Sequence, residues 1–169
     1  NDIVVKSDGT IWFTDPPYGL IIPEEGHGGE SEIGDCYVFR IDPRIGTLDP
    51  VTDLPEHPNG LAFSPDESIL YVSDTSGALP GHGSNHCIWE FDVVEGRPLA
   101  NGRVFAEISP GVPDGFRAIG PDLRESRGVA SVGVDLSDLT QFDRLFFLNG
   151  PATAEIYTLR GNVNWMHAR

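Results

Sequence analysis

The sequence contains few cysteines, few cationic residues and no long apolar run, and each shortage excludes a class of protein. Cys36 and Cys87 are too few for a disulfide framework, so we expect two ordinary thiols, with a single disulfide as the alternative. The sequence has 11 lysines and arginines but 26 aspartates and glutamates. The resulting net charge of −15 makes nucleic acid an unfavourable partner. No apolar run approaches the roughly 18 residues of a membrane span, so we expect no membrane partner.

The start of the chain also lacks a basic segment followed by an apolar one, which is the pattern of a signal peptide. We therefore expect a cytoplasmic protein. The chain begins at Asn1 without a methionine, inside a strand-like run, and this favours a piece of a longer protein. No feature of the sequence indicates an oligomeric state.

Glycine and proline are abundant, and no segment shows helical periodicity. The 20 glycines and 14 prolines lie between short apolar runs, which predicts many turns and short strands. Because 39% of the residues are hydrophobic, the composition does not indicate disorder. We therefore expect an all-β chain.

The sequence repeats itself. Residues 1–15 resemble residues 59–74: a polar residue opens an apolar strand, an aspartate-centred turn follows, and a second strand ends in Thr-Asp or Ser-Asp. Residues 38–46 likewise match 88–96, and a third copy opens at Asp114. Four short strands per unit of about 50 residues indicate a β-propeller, since a β-sandwich would not repeat in groups of four. We predict about three blades, in units at about 1–55, 59–109 and 114–165.

The residues that open the repeats are expected to form a ring, because the innermost strands of a propeller converge on its axis. These residues are Asn1, Asn59 and Asp114, and each carries a side-chain oxygen. Proline precedes and glycine follows both Asn59 and Asp114, so the chain enters in a fixed direction and turns close to the axis. A single Asn or Asp before glycine would indicate only a turn. Three at equivalent positions favour a site for a hard cation such as Ca²⁺.

A family resemblance rests on these same segments. Residues 1–3 with 12–19, then 58–66, then 113–116, resemble the SMP-30/gluconolactonase/LRE-like family in order and over residues 1 to about 117. Members are six-bladed β-propellers that hydrolyse sugar lactones or related esters at one divalent cation in the central channel. The resemblance therefore implies a partial propeller and a small-molecule lactone or ester as substrate.

The resemblance also implies roles for the three opening residues. Asn59 and Asp114 would be metal ligands, Asp114 would also be the general acid/base, and Asn1 would line the substrate pocket or reach the metal. The implied cofactor is one divalent cation, Ca²⁺ first, with Zn²⁺, Mg²⁺ and Mn²⁺ as alternatives. The family's first ligand is a glutamate that would lie before Asn1. We therefore expect this chain to be inactive, or nearly so, by itself.

Two other functions fit parts of the pattern. A non-catalytic propeller could present its loops to a binding partner, and a strictosidine-synthase-like propeller would do its chemistry without this metal constellation. The Asn and Asp at the repeat openings argue against the second. The glycine-rich segment 26–29 resembles an oxyanion loop of serine esterases, but no Gly-x-Ser-x-Gly motif accompanies it, so we reject a serine hydrolase.

The remaining polar residues receive simpler interpretations. His27, His82 and His86 fit no zinc spacing and are expected in exposed loops, while His57 is a further candidate for the pocket. Asp15 and Asp74 end equivalent strands and are expected to cap turns rather than to support the site. Residues 118–142 depart from the family pattern, which a deletion or a local frame error would explain.

Overall fold

The computed structural model describes residues 1–95, 99–119, 128–134, 143–149 and 153–159, and side chains only as far as Phe116. The strands form three antiparallel sheets of four, in the orders β1-β2-β3-β4, β5-β6-β7-β8 and β9-β10-β11-β12. This confirms the expected all-β fold with four strands per unit. The strands are β1 Ile3–Val5, β2 Ile11–Asp15, β3 Tyr37–Asp42, β4 Thr47–Thr52, β5 Pro58–Phe63, β6 Ile69–Asp74, β7 Cys87–Val93, β8 Leu99–Glu107, β9 Val112–Ile119, β10 Gly128–Val134, β11 Asp143–Asn149 and β12 Thr153–Leu159.

Two short helical turns depart from the all-β expectation. Helix α1 spans Tyr18–Ile21 and follows Pro16 and Pro17, whose rings hold the backbone near helical φ. A 3-10 turn spans Ser76–Ala78. Each is shorter than two turns, so neither produces a helical period in the sequence. In the part of the chain that the structure describes, no helix is long and apolar enough to cross a membrane.

The sheets stack face to face because side chains alternate along each strand. Leu61, Phe63 and Leu70 of the second sheet join Trp12 and Val38 of the first sheet in one apolar core. The intervening residues turn the other way, and a second core contains Ala62, Ile88, Ile108 and Phe116, which reach from the second sheet to β9. Aromatic residues also pack between the units, since the Trp12 ring meets Phe63 edge to face at 5.3 Å.

The third sheet continues the four-strand pattern past the point where the sequence repeat fades. Strand β10 lies within the divergent segment 118–142 and pairs with both β9 and β11. Residues 120–127 and 135–142 of that segment lie outside the described residues. Cys36 and Cys87 are both free thiols, and the second is buried.

The antiparallel pairing brings the repeat openings and two long loops to the same end of the sheets. Pro58, at the start of β5, pairs with Asp74, at the end of β6, and Ile3 pairs with Phe13 near the end of β2. The loop 16–36 after β2 and the loop 75–86 after β6 therefore leave from the end at which β1 and β5 begin. These loops frame the place where the sequence predicts a site.

Candidate active site

Asn59 is the most enclosed of the three residues at the repeat openings. It is 5% exposed, whereas Asp114 is half-buried and Asn1 is exposed. The main-chain nitrogen of Asn1 donates to the Thr14 carbonyl at 2.7 Å, and no described residue hydrogen-bonds to the Asn1 side chain. The structure thus places Asn59 and Asp114 at the interface of the second and third sheets, with Asn1 open to solvent on the first.

A repeated hydroxyl fixes the main chain of each opening. Thr14 Oγ1 accepts from the Asp2 N–H at 3.0 Å and donates to the Asn59 carbonyl at 2.6 Å. Ser73 Oγ accepts from the Gly60 N–H at 2.7 Å and donates to the Asp114 carbonyl at 3.1 Å. Each hydroxyl therefore ties the opening of its own sheet to the opening residue of the next sheet. The repeat in the sequence shows that Thr14 and Ser73 are equivalent, but it does not predict this role for them.

Glycine at position 60 allows the second and third sheets to approach closely at the site. A Cβ atom built on Gly60 would overlap the carbonyl oxygen of Asp114 and would lie 2.8 Å from the Gly115 Cα and 3.0 Å from the Phe116 ring. Real Cβ atoms essentially never come within 3.0 Å of a heavy atom outside their own residue and its chain neighbours. The predicted need for glycine next to Asn59 thus has a specific cause, which is the main chain of the neighbouring sheet.

The Asn59 side chain has one satisfied end and one free end. Its Nδ2 donates to the Tyr18 hydroxyl at 3.4 Å, and its Oδ1 is buried without a hydrogen-bond partner among the described residues. A buried acceptor without a partner costs about 1–3 kcal/mol, so it indicates an unfilled interaction. An amide oxygen is a suitable ligand for a hard cation.

Tyr18 connects the first sheet to this site. It is the first residue of helix α1, directly after Pro17. Its side chain is 8% exposed and meets the His57 ring edge to face at 5.9 Å. Burial raises the pKa of the Tyr18 hydroxyl to about 12; hydrogen bonds with Thr75 and Asn59 oppose this, and the negative charges of Asp114 and Asp74 add to it. The hydroxyl is therefore neutral near pH 7. Tyr18 is not among the site residues that the sequence predicts.

His57 is buried beside Tyr18, and its Nδ1 has no hydrogen-bond partner among the described residues. Burial lowers the pKa of His57, and the nearby Asp74 carboxylate only partly offsets this. The ring is therefore neutral at pH 7. Of the other histidines, His27 and His82 are exposed in their loops, as expected. His86 is half-buried rather than exposed, because its Nδ1 contacts the Ile108 carbonyl.

Asp74 caps the turn after β6, as expected from the sequence. It is fully buried, and its carboxylate accepts from the main-chain N–H groups of Glu56, His57 and Ser76 at 2.8–3.1 Å. It also accepts from the side chain of Asn85 at 3.0 Å. These bonds hold the segment before Asn59 against the loop 75–86. Asp15, at the equivalent position of the first sheet, is exposed.

A pocket of about 820 Å³ lies next to helix α1 in the loop 16–36. Its wall includes Pro17 and Gly19, which flank Tyr18, and the acidic residues Asp15, Glu30 and Glu32. The described part of the chain contains no cluster of three or more His, Cys, Asp or Glu side chains that could hold a metal. At the openings of the second and third sheets, the ligands that the sequence predicts are the Asn59 amide and the Asp114 carboxylate.

Comparisons with known proteins agree with this architecture. Residues 1–118 match the SMP-30/Gluconolactonase/LRE-like region. A gluconolactonase from Zymomonas mobilis is 38% identical over 124 residues, which cover 69% of this chain and 32% of that protein. A lactonohydrolase from Aspergillus oryzae is 32% identical over 156 residues, which cover 79% of this chain and 31% of that protein. The chain thus spans about a third of the length of these curated relatives.

A solved structure extends the agreement to the fold. The structure of a gluconolactonase from Xanthomonas campestris superposes with a TM-score of 0.66 at 33% identity, covering 94% of this chain and 57% of that one. The matched family segment contains all three repeat openings, the Thr14 and Ser73 hydroxyls and Tyr18. With three stacked four-stranded sheets in a partial β-propeller, the chain belongs to the SMP-30/gluconolactonase/LRE-like family.

Proposed function

We propose that this chain carries part of the active site of a metal-dependent hydrolase that opens sugar lactones or related esters. One observation carries the proposal: the Oδ1 atom of Asn59 is buried and has no partner among the described residues, at an opening whose neighbour is Asp114. The orphaned amide oxygen and the carboxylate of the neighbouring opening would together form a donor pair that suits a divalent cation, Ca²⁺ in the first instance. The names of the relatives supply the substrate class.

The proposed roles follow from the surroundings of each residue. Asn59 Oδ1 and the Asp114 carboxylate would hold the cation. When bound, the cation would supply polarisation of the lactone carbonyl and stabilisation of the oxyanion. Asp114, which is half-buried, would accept the proton of the attacking water. Asn1, exposed at the opening of the first sheet, would contact the substrate.

Isothermal titration calorimetry with Ca²⁺ tests the cation site. We expect Asn59→Ala and Asp114→Ala each to weaken binding strongly relative to the unaltered chain, because each removes a proposed ligand. Asp53→Ala is the matched control, since Asp53 is an exposed carboxylate that is not a proposed ligand and has no hydrogen bond or ion pair with the described residues. Equal binding by all four proteins, or no binding by any with Ca²⁺, Mg²⁺, Mn²⁺ or Zn²⁺, would contradict the proposal and favour a non-catalytic binding module.

A lactone hydrolysis assay tests the catalytic part. The described residues offer two of the ligands, so we expect the 169-residue chain to hydrolyse gluconolactone weakly or not at all by itself. Robust hydrolysis that requires a metal, and that Asp114→Asn abolishes, would establish the reaction but refute the proposed dependence on further ligands. Hydrolysis that survives both chelation and Asp114→Asn would refute the mechanism.

A further inference from the structure

Tyr18, from the loop after β2 of the first sheet, hydrogen-bonds to the side chain of a proposed ligand on the second sheet. We infer that Tyr18 is a positioning residue, whose hydroxyl orients the Asn59 amide so that Oδ1, and not Nδ2, faces the cation site. The inference rests on the proposed function, because it concerns the residue that would hold the cation.

The hydrogen bond between Asn59 and Tyr18 determines the orientation of the amide. Asn59 Nδ2 carries two protons and donates to the Tyr18 oxygen, which accepts. Asn59 Oδ1 lies at the other end of the amide and has no partner among the described residues. Without the tyrosine hydroxyl, no other described residue would hold Nδ2 on that side.

Tyr18 reaches Asn59 from another sheet. Asn59 lies on the second sheet, whereas Tyr18 lies in the loop after β2 of the first. Packing holds the Tyr18 side chain, since its ring is buried and meets His57 edge to face. The position of its hydroxyl is therefore fixed, and it determines which atom of Asn59 is left without a partner.

An amide in the opposite orientation would present N–H groups to a cation, which no cation tolerates as ligands. Loss of a partner that orients a metal ligand typically lowers metal affinity by about 10–100-fold. We therefore expect Tyr18→Phe to weaken Ca²⁺ binding by about 10–100-fold. Asparagine needs the orienting bond, but aspartate offers an oxygen in either orientation. In the Asn59→Asp background, Tyr18→Phe should therefore have a much smaller effect.

The test combines calorimetry with Ca²⁺ on the four proteins of this cycle with NMR of the Asn59 side-chain amide without metal. Tyr37→Phe is the control, because it removes a half-buried tyrosine hydroxyl that is not hydrogen-bonded to Asn59. We expect slow hydrogen exchange of the Asn59 NH₂ group in the unaltered chain and in Tyr37→Phe, and fast exchange in Tyr18→Phe. If Tyr18→Phe acted merely through lost stability, it would weaken Ca²⁺ binding equally with and without the Asn59→Asp substitution.

The outcomes separate the two proposals. If Asn59→Ala weakens Ca²⁺ binding but Tyr18→Phe does not, the cation site stands and the positioning role of Tyr18 is wrong. The positioning role is also wrong if the Asn59 amide exchanges equally fast with and without the Tyr18 hydroxyl. If Asn59→Ala leaves Ca²⁺ binding unchanged, or if the unaltered chain binds no Ca²⁺, the cation site is wrong and the inference fails with it.

Discussion

Replacing Gly60 by alanine adds a single methyl group at the contact between the second and third sheets. That methyl group would overlap the Asp114 carbonyl oxygen and lie 2.8 Å from the Gly115 Cα. Ordinary contacts of a Cβ atom begin at 3.4 Å, so the two strands must separate by at least about 0.6 Å. Both atoms belong to main chain, which cannot rotate away as a side chain can. The shift would move Asp114 relative to Asn59.

The expected magnitude combines two opposing effects. Forcing an extra methyl group into a packed contact costs about 1–3 kcal/mol. Replacing glycine by alanine also lowers the conformational entropy of the unfolded chain, which stabilises the folded state by about 0.4–1 kcal/mol. The two ranges combine to about 0–2.6 kcal/mol. Because the overlap is with main chain, which relaxes little, we expect a net destabilisation of about 1–2 kcal/mol, or about 2–8 °C in the thermal unfolding midpoint for a domain of this size.

Gly115→Ala is the matched control, because a Cβ atom there would meet no described atom within 4 Å. Both variants change a glycine next to a proposed ligand, but only Gly60→Ala should lower the unfolding midpoint in circular dichroism. Gly60→Ala should also weaken Ca²⁺ binding, since Asp114 moves. Equal midpoints for the two variants, or a higher midpoint for Gly60→Ala, would refute the reasoning from close approach.

Two further predictions concern buried polar groups near the site. Ser73→Ala removes the acceptor of the buried Gly60 N–H, so denaturant unfolding should show a loss of about 1–3 kcal/mol, whereas Ser84→Ala in an exposed loop should show almost none. A similar loss for both would contradict the proposed role of the Ser73 hydroxyl. The lowered pKa of His57 means that the unfolded chain binds a proton that the folded chain resists, so this group destabilises the fold as the pH falls below about 6.5. Thermal unfolding between pH 5 and 8 should therefore show a weaker acid-side loss in His57→Gln, and an unchanged pH dependence would count against this.

Much of the architecture could be predicted from the repeat. The alternation of apolar residues and the spacing of the openings predicted four-stranded units, and the sheets that begin with β1, β5 and β9 follow that spacing. Helix α1 could not be predicted, because four residues are too few to show a helical period. The local signals were therefore sufficient for the strands but not for the connections between them.

The site was only partly accessible to the same reasoning. Asn59 and Asp114 could be singled out because each lies in a Pro-x-Gly frame at a repeat opening. Tyr18 could not, because its partner lies 41 residues away and the contact depends on how a loop of the first sheet folds over the second. The hydroxyls of Thr14 and Ser73 matched in the repeat, but their bonds go to main-chain carbonyls of the next sheet. A sequence motif shows which side chains are equivalent, but not which main-chain atoms they contact.

The hydroxyls of Thr14 and Ser73 have a consequence for redesign. They hold the carbonyl groups of Asn59 and Asp114, so the backbone positions around the axis do not depend on the side chains that point from them. Those side chains can therefore be replaced without moving the main chain. Substituting histidine or glutamate at either position should change which metal is preferred, while the main-chain positions stay the same.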